Sequence, residues 1–146
     1  MNYLLISFII LLFSSCKQSC SLSKESLVAT KKVFFVNIKD NQQISSPFLV
    51  KFGVSGMSVR KALEDVSDKT SGHHHILIDH PQGYIENGQV IPMDDKHIHY
   101  GQGQTEGMIT LSEGKHTLSL QFADGAHLSY GKEMAHTIMI EVVNKN

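Results

Sequence analysis

The sequence predicts an all-β fold, an immunoglobulin-like antiparallel β-sandwich of about seven strands. Apolar residues beyond position 30 recur at every second position in short runs, which is the period of a strand with one buried face. Turn-forming residues separate these runs at roughly 8- to 15-residue intervals, as they do in sandwiches. Residues 31–146 are enough for one ordinary core, so we expect a single domain there.

The first half of the domain contains three predicted strands. Residues 32–38 (KVFFVNI) are rich in β-branched and aromatic residues, and residues 48–54 place Phe and Val at every second position. Asn, Ser and Pro between these segments suit a short antiparallel connection. Residues 57–70 predict a loop with at most one or two helical turns. Residues 73–79 (HHHILID) are apolar on both faces in their second half, which indicates a central strand.

Four further strands are predicted in the second half. They follow a long connection, residues 80–96, in which Asn87-Gly88 predicts a small hairpin. Each of the four segments is short and rich in strand-forming residues. They span residues 97–100, 107–111, 116–123 and 137–143.

The first 30 residues predict export and a lipid anchor. Residues 1–15 contain no charged side chain, and their apolar run, residues 3–13, is shorter than the about 20 residues that a transmembrane helix needs. This length is typical of a signal peptide. Ser14-Ser15-Cys16 follows at once and resembles the lipobox of bacterial lipoproteins, in which the cysteine is lipidated. We therefore expect residues 1–15 to be a signal peptide and residues 16–30 a serine-rich tether.

Lipidation of Cys16 would determine where the protein resides. The membrane is then a partner through the lipid, and the domain lies in the bacterial cell envelope, on the periplasmic or outer-membrane face. Both cysteines, Cys16 and Cys20, precede the domain, so no disulfide bond can stabilise it. Its core or a bound ligand must do so instead.

Composition argues against nucleic acid as a partner. The chain has 13 Lys and Arg against 14 Asp and Glu, a net charge of -1 with histidine neutral, whereas a nucleic-acid-binding domain would show a basic stripe. An enzyme is not predicted either, because the domain has no cysteine and no G-x-S-x-G nucleophile elbow. A histidine acting as acid or base stays a third alternative.

Histidine is the unusual residue, because all nine copies lie beyond position 72. On a strand, His73 and His75 point to one side and His74 to the other, and His97 and His99 again share a side. If the two strands are neighbours, their imidazoles converge, and imidazole suits copper and zinc. The turn after the sixth predicted strand offers one more histidine. The candidate ligands of a copper or zinc ion are His73, His75, His97, His99 and His127.

Several other side chains could support such a site. Carboxylates of Asp79, Asp94 and Asp95 are available to accept a hydrogen bond from a ligand imidazole and so fix its tautomer. Met93 and Met134 lie near the histidines in the sequence, and a thioether ligand would favour copper.

Two alternatives to a metal site stay open. Histidines at strand ends often donate to backbone carbonyls or acidic side chains, so these histidines could form a polar network at an irregular edge of the sandwich. Alternatively, the domain is a binding module without metal, and loop 79–96 holds an envelope polymer or a protein partner. Tyr84 and Ile85 would then contact that partner.

Four strings of the domain resemble a family of bacterial domains of unknown function, DUF4399. They are residues 47–57 (PFLVKFGVSGM), 70–79 (TSGHHHILID), 91–106 (IPMDDKHIHYGQGQTE) and 114–131 (GKHTLSLQFADGAHLSYG). The strings occur in the order of the family. The resemblance implies a small, exported, all-β domain and implies no established reaction.

Overall fold

A computed structural model describes residues 30–144 of the chain. They form nine strands and one 3₁₀ turn, Lys132–Met134. The predicted signal peptide, the lipidation site Cys16 and nearly all of the predicted tether lie outside the described residues. The strands are β1 (Lys32–Phe35), β2 (Gln42–Ile44), β3 (Phe48–Ser55), β4 (Ser58–Val59), β5 (Ser71–Ile78), β6 (His97–Tyr100), β7 (Glu106–Ile109), β8 (Gly114–Ala123) and β9 (Ala135–Val142).

The strands form two sheets. The smaller sheet has the order β1–β3–β7, and the larger one has the order β2–β9–β8–β5, with β4 and β6 both pairing with the far side of β5. β4 pairs with the first two residues of β5, and β6 pairs with residues 74–77. The predicted all-β sandwich is therefore confirmed, while an immunoglobulin-like order of its strands stays a prediction.

Two of the nine strands are not predicted by the sequence. β2 and β4 are only three and two residues long, too short to show an alternating pattern. Both pair in parallel, β2 with β9 and β4 with β5, whereas all other ladders are antiparallel among the described residues. The segment of β2, Gln-Gln-Ile, lies between turn-forming residues, so the sequence there indicates a turn and not a strand.

The connection between β5 and β6 also differs from the prediction. No hairpin forms within it at Asn87-Gly88. Instead, the N–H of Gly88 donates to the carbonyl of Ser129 at 2.8 Å, and Val90 forms an isolated bridge with Leu128. The connection is thus joined to the loop that follows β8.

The main core lies between the two sheets and consists mainly of alternate residues of the longer strands. On β8, Leu118, Leu120 and Phe122 are fully buried there, because the period of two puts them on one face. A smaller apolar cluster lies on the opposite face of the large sheet, under the two connected loops. Its members are Leu77, Ile85, Ile91 and Ala123.

Gln121 fastens the loops to this outer face. Its Oε1 accepts the N–H of Ile85 at 3.1 Å, and its Nε2 donates to the carbonyls of Gly131 and Met134 at 3.0 and 3.1 Å. Because the amide is fully buried and satisfied, it positions both loops without leaving a polar atom unpaired. The outer face of the large sheet is therefore covered, and β5 is buried along its whole length.

Among residues 30–144, no helix has the length and apolar character that crossing a membrane requires.

Gly72→Ala should destabilise the fold, because Gly72 on β5 approaches the backbone of β8. A Cβ at this position would lie 2.1 Å from the carbonyl oxygen of Ala123, which is held in the sheet and cannot move aside. We expect the free energy of unfolding, measured by urea denaturation, to fall by about 2–3 kcal/mol. The matched variant Gly53→Ala should cost less, since its Cβ meets only the ring of Phe34, at 2.8 Å. Equal losses for the two variants would contradict this account of Gly72.

Candidate metal centre

Two adjacent strands and one loop bring four histidines together on the outer face of the large sheet. His73 and His75 lie on β5 and face the same side. His99 on β6 is directly opposite His75 in the antiparallel ladder. His127 comes from the loop that follows β8. We call these four residues the four-histidine cluster.

The ring nitrogens of the cluster face one another. Nε2 of His75 lies 3.0 Å from Nε2 of His73, and Nε2 of His127 lies 3.1 Å from Nε2 of His99. His73, His99 and His127 each offer one ring nitrogen, and these three atoms all lie within 4.8 Å of one another. Two nitrogen ligands of a tetrahedral ion, each about 2.0–2.1 Å from it, are roughly 3.3 Å apart. The spacing therefore suits one ion held by three imidazoles, with the fourth beside them.

Asp124 shapes the loop that carries His127. Its Oδ1 accepts the N–H groups of Ala126 at 2.9 Å and Leu128 at 3.0 Å, and its buried carboxylate forms an ion pair with Lys69. These bonds hold His127 at a φ of 65°, which non-glycine residues rarely adopt. Asp124 thus positions His127 over the face of the sheet.

Gly101 leaves the space that the ring of His99 occupies. A Cβ at position 101 would lie 2.2 Å from both Cε1 and Nε2 of His99. The imidazole therefore packs directly over the glycine backbone. Any larger residue there would displace the ring from the cluster.

Burial keeps the imidazoles of His73, His75 and His99 neutral. His73 and His75 are fully buried, and burial lowers the pKa of His73 to about 4 and that of His75 to about 2. Neighbouring imidazoles contribute to both of these shifts, whereas the carboxylate of Asp124 opposes the shift at His73. Burial and His127 also lower the pKa of His99. At neutral pH these rings therefore keep the unprotonated nitrogen that a metal ion needs.

The hydrogen bonds within the cluster are incomplete. Nδ1 of His73 and Nδ1 of His75 are buried and have no hydrogen-bond partner among the described residues. If their Nε2 atoms share a proton, one Nδ1 is left with an unused N–H and the other with an unused lone pair. An unpaired buried polar group costs about 1–3 kcal/mol.

His97 lies outside the cluster, which corrects the prediction that it joins the other four. The β5–β6 ladder places it opposite Leu77, two residues away from His99. Its Nδ1 lies 2.7 Å from Oδ1 of Asp94, and its ring centroid is 5.8 Å from that of His80. Residues two apart on a strand share a side but are separated by about 6.6 Å, so sharing a side does not imply sharing a site.

The other predicted supporting residues are dispersed. Oδ2 of Asp79 lies 2.9 Å from Nδ1 of His116, away from the cluster. Met134 is buried in the main core between the sheets, so it cannot be a ligand of the cluster. Met93 is 76% exposed and, with Asp95, lines an open hollow of about 490 Å³ that reaches His97 and His99.

His74 faces the opposite side of β5, as its position in the strand predicts. Its ring packs between those of Phe52 and Phe122, with both centroid distances 4.8 Å. Burial lowers its pKa to about 4, while the carbonyls of Gly53 and Gln104 oppose the shift. His74 is therefore a neutral core residue and no ligand of the cluster.

Loop 79–96 covers the histidine face and does not present Ile85 to solvent. Ile85 is buried in the smaller apolar cluster, and its N–H is bonded to Gln121. Tyr84 lies beneath the ammonium of Lys132, which is 5.9 Å from the ring centroid. Ile85 thus has a structural role, and a polymer or protein partner of this loop stays a prediction.

Three residues around the site are missed by sequence reasoning. Asp124 and Gly101 read as ordinary turn residues, and His80 reads as part of a connection. No sequence pattern identifies them, because each acts through a contact that depends on the folded geometry. A glycine two positions after a candidate ligand is the one local signal, and it is weak.

Comparisons with known proteins agree with the family suggested by the sequence. The family model of a domain of unknown function, DUF4399, matches residues 50–143, which confirms the resemblance. No curated protein matches the chain. The X-ray structure of the endo-beta-1,4-mannanase from Thermotoga petrophila is similar, with a TM-score of 0.46 and 14% identity over 79% of this chain. The chain spans only 20% of the mannanase chain, and a likeness this distant does not extend to activity.

His74→Leu should change how stability depends on pH. Histidine in the unfolded chain binds a proton with a pKa of about 6.5, whereas the pKa of folded His74 is about 4. Between these values the unfolded state binds more protons, so the free energy of unfolding falls as the pH is lowered. Removing His74 should reduce this loss by up to about 1.4 kcal/mol per pH unit.

Urea denaturation between pH 7 and pH 4, with a metal chelator present, measures this dependence. His136→Ala is the matched control, because it removes a histidine that is exposed on β9. A His74→Leu variant with the same pH dependence as the control would show that His74 titrates normally in the folded protein.

Proposed function

The chain belongs to the DUF4399 family, and we propose that it is a metal-binding module of the cell envelope. It holds one copper or zinc ion in the four-histidine cluster. His73, His99 and His127 supply three imidazole ligands, and His75 lies beside them as a fourth.

One observation carries this proposal. Ring nitrogens of three histidines from β5, β6 and the loop after β8 all lie within 4.8 Å of one another. Three protonated imidazoles at this distance would repel one another, so protonation cannot explain why they lie together. A bound cation would instead be attracted by the lone pairs of all three nitrogens at once.

The donor set favours a borderline transition metal. The three candidate ligands are imidazoles, which suit zinc, copper, nickel and iron. Calcium and magnesium require oxygen ligands, and the three residues provide none. Copper and zinc fit a site of three imidazoles with room for a fourth ligand.

The envelope location in this proposal rests on the N-terminal sequence. The uncharged apolar run of residues 3–13 followed by Ser14-Ser15-Cys16 supports export and lipidation of Cys16. A lipid there would anchor the domain to the membrane through the tether, residues 16–30. The domain would then meet the metal ions of the periplasm or the outer surface.

Removing a ligand should remove one equivalent of bound metal. The test uses the full chain in detergent with Cys16→Ser and Cys20→Ser, because free thiols would bind the same metals. We expect this parent chain to bind one more equivalent of Zn²⁺ or Cu²⁺ than its His99→Ala/His127→Ala variant. A single substitution should weaken binding by more than the roughly 10- to 100-fold typical of an outer-shell change. Calorimetric titration and metal analysis after gel filtration measure both quantities.

The matched control is His136→Ala, which removes an imidazole that is exposed on β9 and should leave the stoichiometry unchanged. Circular dichroism spectra establish that each variant is folded. A parent chain that binds neither metal would overturn the proposal, as would equal stoichiometry in the parent and the double variant.

Gly101→Ala tests the geometry of the site without removing a ligand. The added Cβ would meet the ring of His99 at 2.2 Å, and the ring can turn away more easily than backbone could. We expect metal affinity to fall at least about tenfold, while the free energy of unfolding changes by about 1 kcal/mol or less. Unchanged affinity in this variant would mean that the position of His99 is irrelevant to binding.

A further inference from the structure

A second pair of histidines lies beside the four-histidine cluster on the same side of the large sheet. His97 stands at the start of β6, and His80 follows the sharp turn at Asp79, whose φ is 53°. Their ring centroids are 5.8 Å apart, with the ring planes at 71°. Two imidazoles that share an ion about 2.0 Å from each nitrogen have centroids roughly 5–6.5 Å apart. The spacing of the pair therefore matches that of two ligands on one ion.

Both rings have a buried nitrogen with nothing to bind. Nδ1 of His80 and Nε2 of His97 have no hydrogen-bond partner among the described residues. The two atoms belong to rings from separate segments whose centroids lie 5.8 Å apart. Unpaired buried nitrogens are uncommon in folded proteins and call for an explanation.

Asp94 prepares His97 for this role. Its Oδ1 lies 2.7 Å from Nδ1 of His97, so that nitrogen carries the proton and donates it to the carboxylate. The lone pair is then left on Nε2, the nitrogen without a partner. A carboxylate behind an imidazole in this way is the usual outer partner of a metal-binding histidine.

The surroundings of His97 favour a soft ion. Met93 is 76% exposed and lines the same open hollow as His97 and His99. A thioether beside imidazoles selects monovalent copper over zinc. Asp95 also lines the hollow.

We propose that His80 and His97 form a second metal site, separate from the four-histidine cluster, which binds Cu⁺ with Met93 as a further ligand. The site is independent of the proposed function, because it shares no ligand with the cluster. The hollow that contains Met93 also reaches His99, so the two sites open to the same part of the surface.

The test is a titration with Cu⁺, supplied as its bicinchoninate complex under anaerobic reducing conditions. The protein is the full chain in detergent with Cys16→Ser and Cys20→Ser. We expect this parent to withdraw one more equivalent of copper from the complex than its His80→Ala/His97→Ala variant. The His99→Ala/His127→Ala variant should retain the equivalent bound by His80 and His97, and His136→Ala should bind as the parent does.

The outcomes separate the two proposals. Equal copper stoichiometry in the parent and the His80→Ala/His97→Ala variant overturns the second site and leaves the cluster untouched. Copper that is lost with His80 and His97 but not with His99 and His127 supports the second site and overturns the cluster as the copper ligand. Two equivalents in the parent and one in each double variant support both.

A measurement on the parent protein covers the case in which the double variant does not fold. Cu⁺ is diamagnetic, so two-dimensional ¹H–¹⁵N spectra of the histidine rings can be recorded with the ion bound. We expect the signals of Nε2 of His97 and Nδ1 of His80 to shift on addition of Cu⁺, and Met93→Leu to weaken binding at this site at least tenfold. Ring signals of His80 and His97 that stay unchanged at saturating Cu⁺ would overturn the proposal.

Discussion

The burial of β5 on both faces is the constraint on which the rest of the structure depends. All eight of its residues are buried, although three of them are histidines. One face is covered by the smaller sheet and the other by the loops that Gln121 fastens. A polar side chain on this strand therefore has no access to bulk water and must find its partners inside the protein. The alternation along β5 then divides its histidines, with His74 in the core and His73 and His75 beneath the loops.

This division could be predicted from the sequence, because the period of two is a local property of a strand. His73, His75 and His99 follow from it once β5 and β6 are neighbours. The position of His97 outside the four-histidine cluster could not be predicted, because it depends on the register of the ladder and on how far the side chain reaches. The contributions of Asp124, Gly101 and His80 could not be predicted either, because each depends on a contact in the folded geometry and not on a pattern of residues. The two unpredicted strands are too short to show a period, and β2 also pairs with a strand that is distant in the sequence.

The electrostatics of the histidine face follow from the same burial. An imidazole that loses its water favours the neutral form, and several imidazoles close together oppose each other's protonation. Both effects act on His73 and His75, and they lower the pKa values to about 4 and about 2. The proton is therefore a poor competitor for these nitrogens near neutral pH. Burial therefore disfavours a positive charge on each separate ring. A single cation between several rings is instead stabilised by the lone pairs of all of them.

The two groups of histidines differ in what orients their rings. His97 is oriented by a hydrogen bond, because Asp94 accepts from Nδ1 and leaves Nε2 free. The cluster has no such partner at Nδ1 of His73 or His75. Its geometry must come from packing instead: the ladder sets His75 opposite His99, Gly101 makes room for one ring, and the loop folded around Asp124 supplies another. The same strands and loops build the fold and position these rings. A shift of the loops on the outer face therefore also shifts the ligands of the cluster. The fold and the candidate metal centre are therefore coupled through the loops, while the His80–His97 pair is coupled to its surroundings mainly through one carboxylate.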